Sequence, residues 1–553
     1  MPTFEISFSD LEKLLGRPLP QGNQLAELLS YAKAEIENEE GDKATINVED
    51  SNRPDLLCVE GLARQLKGAL EVETGLKNYQ IHNSEYKVIV NGKLESIRGF
   101  IACAVVTGVK LSGDLIKQLM QMQEKLDATH GRGRKKTSIG LYNSDTLKWP
   151  LKYTLTKPHE NAFVPLGFAD AMAPHEILKN HPKGPEYGHI LKNLEEYPIF
   201  MDSVNKVLSM PPIVNSNDLG QINEHSENIL IEVTGTDYNT VNNILRLFAM
   251  SLADRGGKIF NVKVDYPYRK TDTTPNFDTK RMTLHPQKVN DILGLKLDAV
   301  DMVKILKMMR FGASQNLDAV SNNVLADVPA YRTDVMHAVD IYEDIAIGYG
   351  FHKFTAEPIA LATTGSLSSA EKVSRKFREA CIGLGAQEIM SFDLTNKDSL
   401  FKLMGAKEEK VVEVDNPITF TFSCLRNKLL PSIMEFLSKN TKKEYPQRIF
   451  EVGDVVYPDS KADEMSVTEQ RLAFAISHSD VTFTEAKQCL DAVFSNLGIK
   501  IAVREEEHES FIAGRCAAIY SGKERIGIIG EVHPQVLANW GLEMPVVGFE
   551  VKL

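Results

Sequence analysis

Apolar positions along this chain change their period several times, and each change marks a different kind of element. Phe4, Ile6 and Phe8 alternate with polar neighbours, which predicts a strand, and Ser9 then stands where a hydroxyl can cap a short helix ended by Gly16 and Pro18. Asn52-Arg53-Pro54-Asp55 reads as a turn ahead of Leu56, Leu57, Val59, Leu62, Ala63 and Leu66, whose spacing is helical until Gly68 stops it. Residues 1–82 are therefore expected to form a small α/β unit. Residues 83–270 mix both periods, with strands at Lys87–Val90 and 101–109 and helices at Gly113–Ala128 and 239–253. The polar, aperiodic stretch 267–281 reads as a connector. Within 275–355 a short strand precedes helices at 285–293, 297–309 and 334–347, which predicts a small helical domain. After Glu357-Pro358 and the Ser/Thr/Gly-rich stretch 362–369, residues 362–553 alternate helix and strand again, with strands at 471–476 and 525–531. The expected class is a multidomain α+β and α/β protein with four domains.

Composition narrows the functional class. Apolar residues make up 43% of the chain and charged residues 25%, which suits a folded soluble protein and not a disordered or collagen-like one. Sixty-three Lys and Arg against seventy-five Asp and Glu give a formal charge of −12, so a polyanionic partner must be met by a local basic patch or by another subunit. That balance speaks against a dedicated nucleic-acid binder. The six cysteines are far apart and include no Cys-x-x-Cys pair, which fits reduced cytosolic thiols. The first residues lack a basic end followed by an apolar core, and no run reaches the about 18 apolar residues of a membrane span. A cytoplasmic location without membrane attachment is expected.

Several chemistries are excluded by motif. No Gly-x-x-x-x-Gly-Lys-Ser/Thr loop is present, and Gly383-Leu384-Gly385 follows a helical stretch instead of a strand, so these glycines read as a helix C-cap. There is no His-Glu-x-x-His and no Gly-x-Ser-x-Gly. Three clusters remain. In 331–344, Asp340, Glu343 and Asp344 stand at i, i+3 and i+4 of a predicted helix, with Asp334 near its N-terminus as a cap. Crowded carboxylates repel, and a hard cation such as Mg2+ would relieve them; a solvated acidic face or a basic partner surface are the other readings. Arg132, Arg134, Lys135 and Lys136 form the one dense basic run, in a glycine-flanked loop suited to phosphate contact or to plain solvation. The segment 209–216, with Glu232, Thr234, Thr236 and Asp237, offers hydroxyls and carboxylates for a polar pocket, although turns and caps use the same residues.

Four strings, taken in order, resemble one family: Asn52-Arg53-Pro54-Asp55 with Val59-Glu60-Gly61-Leu62-Ala63-Arg64, the run 331–344, Leu425-Arg426 with Leu429-Leu430-Pro431, and Phe450-Glu451-Val452-Gly453-Asp454-Val455. Their order and spacing span nearly the whole chain. It resembles the beta subunits of phenylalanyl-tRNA synthetases, in the archaeal and eukaryotic form without an inserted oligonucleotide-binding fold or a C-terminal anticodon-binding module. The resemblance implies an α2β2 heterotetramer whose alpha subunit binds ATP and phenylalanine. The beta subunit then supplies scaffold, contacts to tRNA-Phe and an editing site that hydrolyses tyrosyl-tRNA-Phe. It further implies an N-terminal α/β domain at 1–82, an editing domain at 83–270, a small helical DNA-binding-like domain with a magnesium site at 275–355, and an inactive class II catalytic-like antiparallel sheet domain at 362–553 that serves as subunit interface. DNA binding is not expected from fold analogy alone.

Carried over by position, the resemblance implies Mg2+ ligands at Asp334, Asp340, Glu343 and Asp344, the last standing where Glu is usual. It implies an editing pocket at Phe200, Ser209, Glu232 and Thr234, with Glu232 where Asp is usual, and tRNA contact by Arg132, Arg134, Lys135 and Lys136. A pocket that hydrogen-bonds the para-hydroxyl of tyrosine is left with unpaired groups when phenylalanine enters, which is the basis of selection. No nucleophile set stands nearby, so a positioned water is expected to attack the ester; no general base is legible. A self-sufficient ligase needs arginines that grip the ATP phosphates. Where the family fold would place one, this chain runs Val456-Tyr457-Pro458-Asp459, and no Gly-Leu-Gly-Arg-like turn follows Gly530. The alternative, a free-standing trans-editing hydrolase, leaves the size of 362–553 without a purpose.

Overall fold

The computed structural model describes residues 3–50, 52–316, 322–359 and 361–553. The chain divides into two compact units, residues 1–357 and 358–553, each considered by itself. The first unit opens with strand Thr3–Ser7 and helix Phe8–Leu15, as the alternation predicts, but the cap is Ser7, whose hydroxyl accepts from the Asp10 amide, while the Ser9 hydroxyl donates to Asp42. Helix Val59–Ala69 runs through Gly68 instead of ending there. A Cβ at Gly68 would lie 1.9 Å from the Met308 carbonyl oxygen, so this glycine permits close approach of the chain end of helix Ala299–Met308.

An eleven-stranded sheet occupies Ile81 to Thr274. Along its main path the strands lie in the order 214–215, 207–210, 197–201, 151–156, 87–90, 258–265, 100–107, 229–235 and 137–143. The stretch expected to be only a connector supplies strand Asp272–Thr274, because the Thr274 hydroxyl donates to the Cys103 carbonyl at 2.7 Å and accepts from its amide at 3.0 Å. Helices Gly113–Ala128 and Tyr238–Asp254 cover one face with Leu119, Met122, Leu245 and Phe248. A second core of Cys103, Tyr142, Tyr153, Phe200, Leu208 and Leu230 covers the other. Strand Ile229–Gly235 is buried throughout: Ile229, Ile231 and Val233 enter the first core, and alternation turns Leu230, Glu232 and Thr234 to the second.

The segment expected to be helical is α+β. Helices Pro286–Leu293, Ala299–Met308 and Ala338–Tyr349 accompany an antiparallel sheet of Lys280–Leu284, Val324–Val328 and Gly312–Gln315. The last helix starts at Ala338, which leaves Asp334 in the preceding loop. Asp340, not Asp334, closes its first turn, accepting from the Met336 and His337 amides at 2.8 and 2.7 Å.

The second unit is built on a seven-stranded sheet in the order 387–388, 447–458, 466–477, 546–552, 524–532, 511–521 and 502–505, antiparallel except for its first pair. Helices Ser369–Gly383 and Phe483–Asn496 bury Phe377, Leu490 and Phe494 on one face. Helix Leu430–Lys439 buries Ile433 and Met434 on the other. Among the described residues no helix is long and apolar enough to cross a membrane.

Candidate functional site

Glu232 is the one charged residue of its buried strand, and its register decides its surroundings. It lies directly across from Gly140 on one side and Cys103 on the other, while Thr234 lies across from Ser138. Ser138, Gly140 and Tyr142 therefore share the face to which Glu232 and Thr234 point. From the neighbouring hairpin, strands Tyr197–Met201 and Val207–Met210 bring Phe200 and Ser209 as a cross-strand pair. The Tyr142 phenol oxygen stands 2.7 Å from Glu232 Oε2 and 2.9 Å from Ser209 Oγ. It has one O–H to give, and the carboxylate is the stronger acceptor, so it donates to Glu232 with the Ser209 oxygen as its alternative acceptor.

Ser138, Ser209 and Glu232 border a cavity of about 270 Å3 whose wall also includes Arg134, Pro212 and Asn215, with Tyr142 set behind them. Glu232 as a residue is only 2% exposed, and its Oε1 is buried without a partner at full hydrogen-bond geometry, Thr234 exerting only a weaker hydrogen-bonding pull on the carboxyl group. Burial pushes its pKa up to about 7, against the opposing pull of the Tyr142 hydrogen bond and the Arg98 guanidinium. His181, also on the wall, has both ring nitrogens engaged, Nε2 with the Leu166 carbonyl at 3.2 Å and Nδ1 with the Lys183 amide at 3.1 Å.

The four expected pocket residues play different parts. Ser209 and Glu232 border the cavity. Phe200 is wholly buried behind Tyr142, edge-on to it at 6.1 Å between ring centres. Thr234 faces Arg98, accepting from Nε at 3.1 Å, and lies 3.1 Å from the Ser138 hydroxyl. Tyr142, Arg98 and Ser138 were not legible as site residues, since nothing in their local pattern separates them from core tyrosine or strand polar positions. Register signals two of them, since Ser138 and Tyr142 flank Gly140, the residue opposite Glu232, whereas Arg98 lies on a short helix outside the sheet.

The basic run is a tight turn in which Arg132, Gly133 and Arg134 all take positive φ, at 50°, 60° and 63°. Arg134 turns inward and departs from the expected set of phosphate contacts. Its Nη1 donates to the Pro212 and Ile213 carbonyls at 3.1 and 2.9 Å, its Nε lies 3.0 Å from Asp127, and its guanidinium lies over Tyr187. Lys136 stands 3.6 Å from Asp237. Arg132 and Lys135 alone of the four are exposed.

The acidic cluster is not a single donor set. Arg332 donates to both oxygens of Asp334 and of Asp344, with Nη2 at 2.6 and 2.8 Å, and this pairing raises the arginine's pKa against burial. Asp340 caps its own helix, and Glu343 pairs with Lys33. Among the described residues no group of three His, Cys, Asp or Glu is arranged to hold a metal. The expected Mg2+ ligands thus do not fit an ion in this arrangement: a guanidinium already stands where the cation would relieve their repulsion.

In the second unit a cavity of about 500 Å3 opens over the sheet, bordered by Lys428, Tyr457, Arg471, Arg525, Glu550 and Lys552. Cations are present, but each is neutralised: Arg471 by Glu550 at 3.0 Å, Lys552 by Glu469 at 2.9 Å, Lys428 by Glu409 at 2.8 Å and Arg525 by Glu506 at 2.6 Å. The remaining Glu550 oxygen accepts from the Leu429 and Leu430 amides, both at 2.9 Å.

Comparison with known proteins places this geometry. Residues 355–553 match the family of the phenylalanyl tRNA synthetase beta chain CLM domain, and residues 282–351 match the tRNA synthetase B5 domain. The phenylalanine–tRNA ligase beta subunit of Pyrococcus abyssi is 41% identical over 557 residues, covering 100% of this chain and 99% of that one. The beta subunit of Thermofilum pendens is 37% identical over 553 residues, with 100% and 98% covered. An N-terminal fragment of the phenylalanyl-tRNA synthetase beta subunit from Pyrococcus horikoshii superposes with a TM-score of 0.60 at 37% identity, covering 63% of this chain and 99% of the fragment. Full-length likeness at this identity, on a multidomain α+β fold shared with the fragment, shows that the chain belongs to the phenylalanine–tRNA ligase beta-subunit family.

Proposed function

We propose that this beta subunit supports charging of tRNA-Phe by an alpha partner and edits tyrosyl-tRNA-Phe in the Glu232 cavity. The observation that carries the editing role is the buried Glu232 Oε1 with no partner, on the wall of a cavity. A buried acceptor left unmade is costly, so it is retained where a ligand completes it. The para-hydroxyl of tyrosine supplies the missing donor and phenylalanine does not, a difference that can favour tyrosine by about 100-fold or more. A water positioned in the cavity then attacks the ester.

On this reading residues 1–82 are scaffold, 83–270 the editing domain, 275–355 a small domain, and 362–553 a catalytic-like domain of class II ancestry that docks the alpha subunit of an α2β2 assembly. Its exposed Met390, Phe392, Ile418 and Phe420 suit such docking, because large apolar side chains in water mark an interface. ATP and the Mg2+ that accompanies it belong to the alpha subunit. Arg132 and Lys135 are the basic-loop residues free to meet tRNA phosphates.

The test is a complex of this chain with its alpha partner, assayed for charging and for release of tyrosine from tyrosyl-tRNA-Phe. The isolated chain should form no aminoacyl adenylate. Glu232→Ala should slow tyrosine release at least tenfold while charging by the complex persists. Adenylate formation by the chain alone, or undiminished release by Glu232→Ala, would overturn the reading.

A further inference from the structure

The geometry points to Tyr142 as the positioning residue of this cavity: its phenol holds Glu232 Oε2 and so presents Oε1 as the free acceptor that selects a phenolic hydroxyl. The inference rests on the editing reading and names how that site tells tyrosine from phenylalanine. Three observations carry it. The phenol oxygen lies within hydrogen-bond distance of both Glu232 and Ser209, which fixes the carboxylate from the hairpin side. The residue opposite Glu232 is Gly140, where a Cβ would lie 2.2 Å from the Tyr142 oxygen and 2.7 Å from Glu232 Oε2, so the strand lacks a side chain at the one place the phenol–carboxylate pair needs. Phe200, wholly buried, packs edge-on against Tyr142 and is itself met edge-on by the buried Tyr153, which holds the Tyr142 ring in place through Phe200.

Tyr142 cannot itself move a proton to the reacting ester. Burial and the adjoining carboxylate drive its pKa well above the ordinary tyrosine value, so it stays a donor. Its effect runs through Glu232, which also faces Arg98, Asp127, Cys103 and Tyr153. Arg98 favours the ionised carboxylate and Asp127 disfavours it. Removing the phenol hydroxyl removes a donor that favours the ionised form, so Glu232 should then titrate at higher pH.

The experiment uses the complex with alpha subunit and compares wild type, Tyr142→Phe and Gly140→Ala on tyrosyl-tRNA-Phe and phenylalanyl-tRNA-Phe across the pH range of stability. Assembly is checked by gel filtration. Tyr142→Phe should lose about tenfold or more in kcat/KM for the tyrosyl ester, mostly through KM, with the phenylalanyl ester little changed, and the rising limb of the pH profile should move to higher pH. Gly140→Ala should act in the same direction, and it decides the matter if Tyr142→Phe fails to assemble. Unchanged tyrosine selectivity together with an unmoved pH limb would overturn the inference. If wild type releases no tyrosine, the editing reading fails, and calorimetric titration with L-tyrosinamide and L-phenylalaninamide decides the positioning role. A preference for tyrosinamide that Tyr142→Phe abolishes keeps it, and equal binding of the two amides ends it.

Discussion

Two cavities of this protein are lined by similar kinds of residue and are left with open groups of opposite kind. In the second unit every cation on the wall meets a carboxylate, and Glu550 spends both oxygens on Arg471 and two backbone amides. In the first unit Glu232 spends one oxygen on Tyr142 and leaves the other buried and unpaired. Arg471 nevertheless keeps its Nε buried without a partner, so the second cavity is left with an unmade donor and the first with an unmade acceptor, each a standing cost that a ligand group of the opposite kind removes. Charge near a cavity is therefore a poor guide to chemistry; an open valence is a better one.

The contrast can be broken at several points, from the largest expected effect downward. Arg332→Met strands two carboxylates, Asp334 and Asp344, in the interior, and should destabilise the first unit by about 5 kcal/mol, at the upper end of losses from severed buried pairs. Thermal melting checks this, and melting of the chain alone should be indifferent to EDTA; a drop on chelation would show that the carboxylates hold an ion after all. Arg426→Met in the second unit leaves Glu451, 2.7 Å away and equally buried, without its partner, at about 3–5 kcal/mol, and adding Glu451→Met should recover much of it.

Next comes Glu232→Gln. Because the folded-state pKa of Glu232 lies at about 7, above its ordinary 4.5, its contribution is fully present below pH about 4.5 and is lost as pH rises through 7. Asp127, buried and likewise raised to about 7, adds to the same slope. Glu232→Gln should thus leave stability at pH 5 little changed and raise it at pH 8 by roughly 2–3 kcal/mol, while tyrosine release falls. Denaturant melts at the two pH values measure it, and equal shifts at both would show that the carboxyl is not buried as a neutral group. The smallest effect belongs to Arg525→Ala at the solvent edge of the second cavity, at under about 1 kcal/mol, as for an exposed pair.

Local pattern was enough wherever the partner of a residue lies close along the chain. Helix Gly113–Ala128 occurs at the expected bounds with its Ser112 cap in place. It failed where the partner is distant. Gly68 looked like a helix stop because its reason for lacking a side chain, the Met308 carbonyl, lies in another element. Asp272–Thr274 looked like a connector because Cys103, which its threonine grips, is far away in sequence.

The strings that carry the family resemblance were legible as words, yet their meaning was not. Arg53 pairs with Asp55, Arg332 with Asp334 and Asp344, and Arg426 with Glu451, so much of what identifies the chain is buried ion pairing that builds the fold. A Cβ at Gly61 would lie 1.6 Å from the Asp55 carbonyl oxygen, and one at Gly453 would lie 2.5 Å from Arg426, which explains the glycines in the same strings.

By itself the sequence determined many of the local elements, the family and the presence of Ser209 and Glu232 as polar residues in largely apolar strands, because periodicity and composition act over a few residues. Which carboxylates are neutralised, which arginine turns inward and which oxygen stays free were decided only by tertiary structure. Those outcomes depend on strand register and on partners far along the chain, where a shift of one residue would send Glu232 into the opposite core.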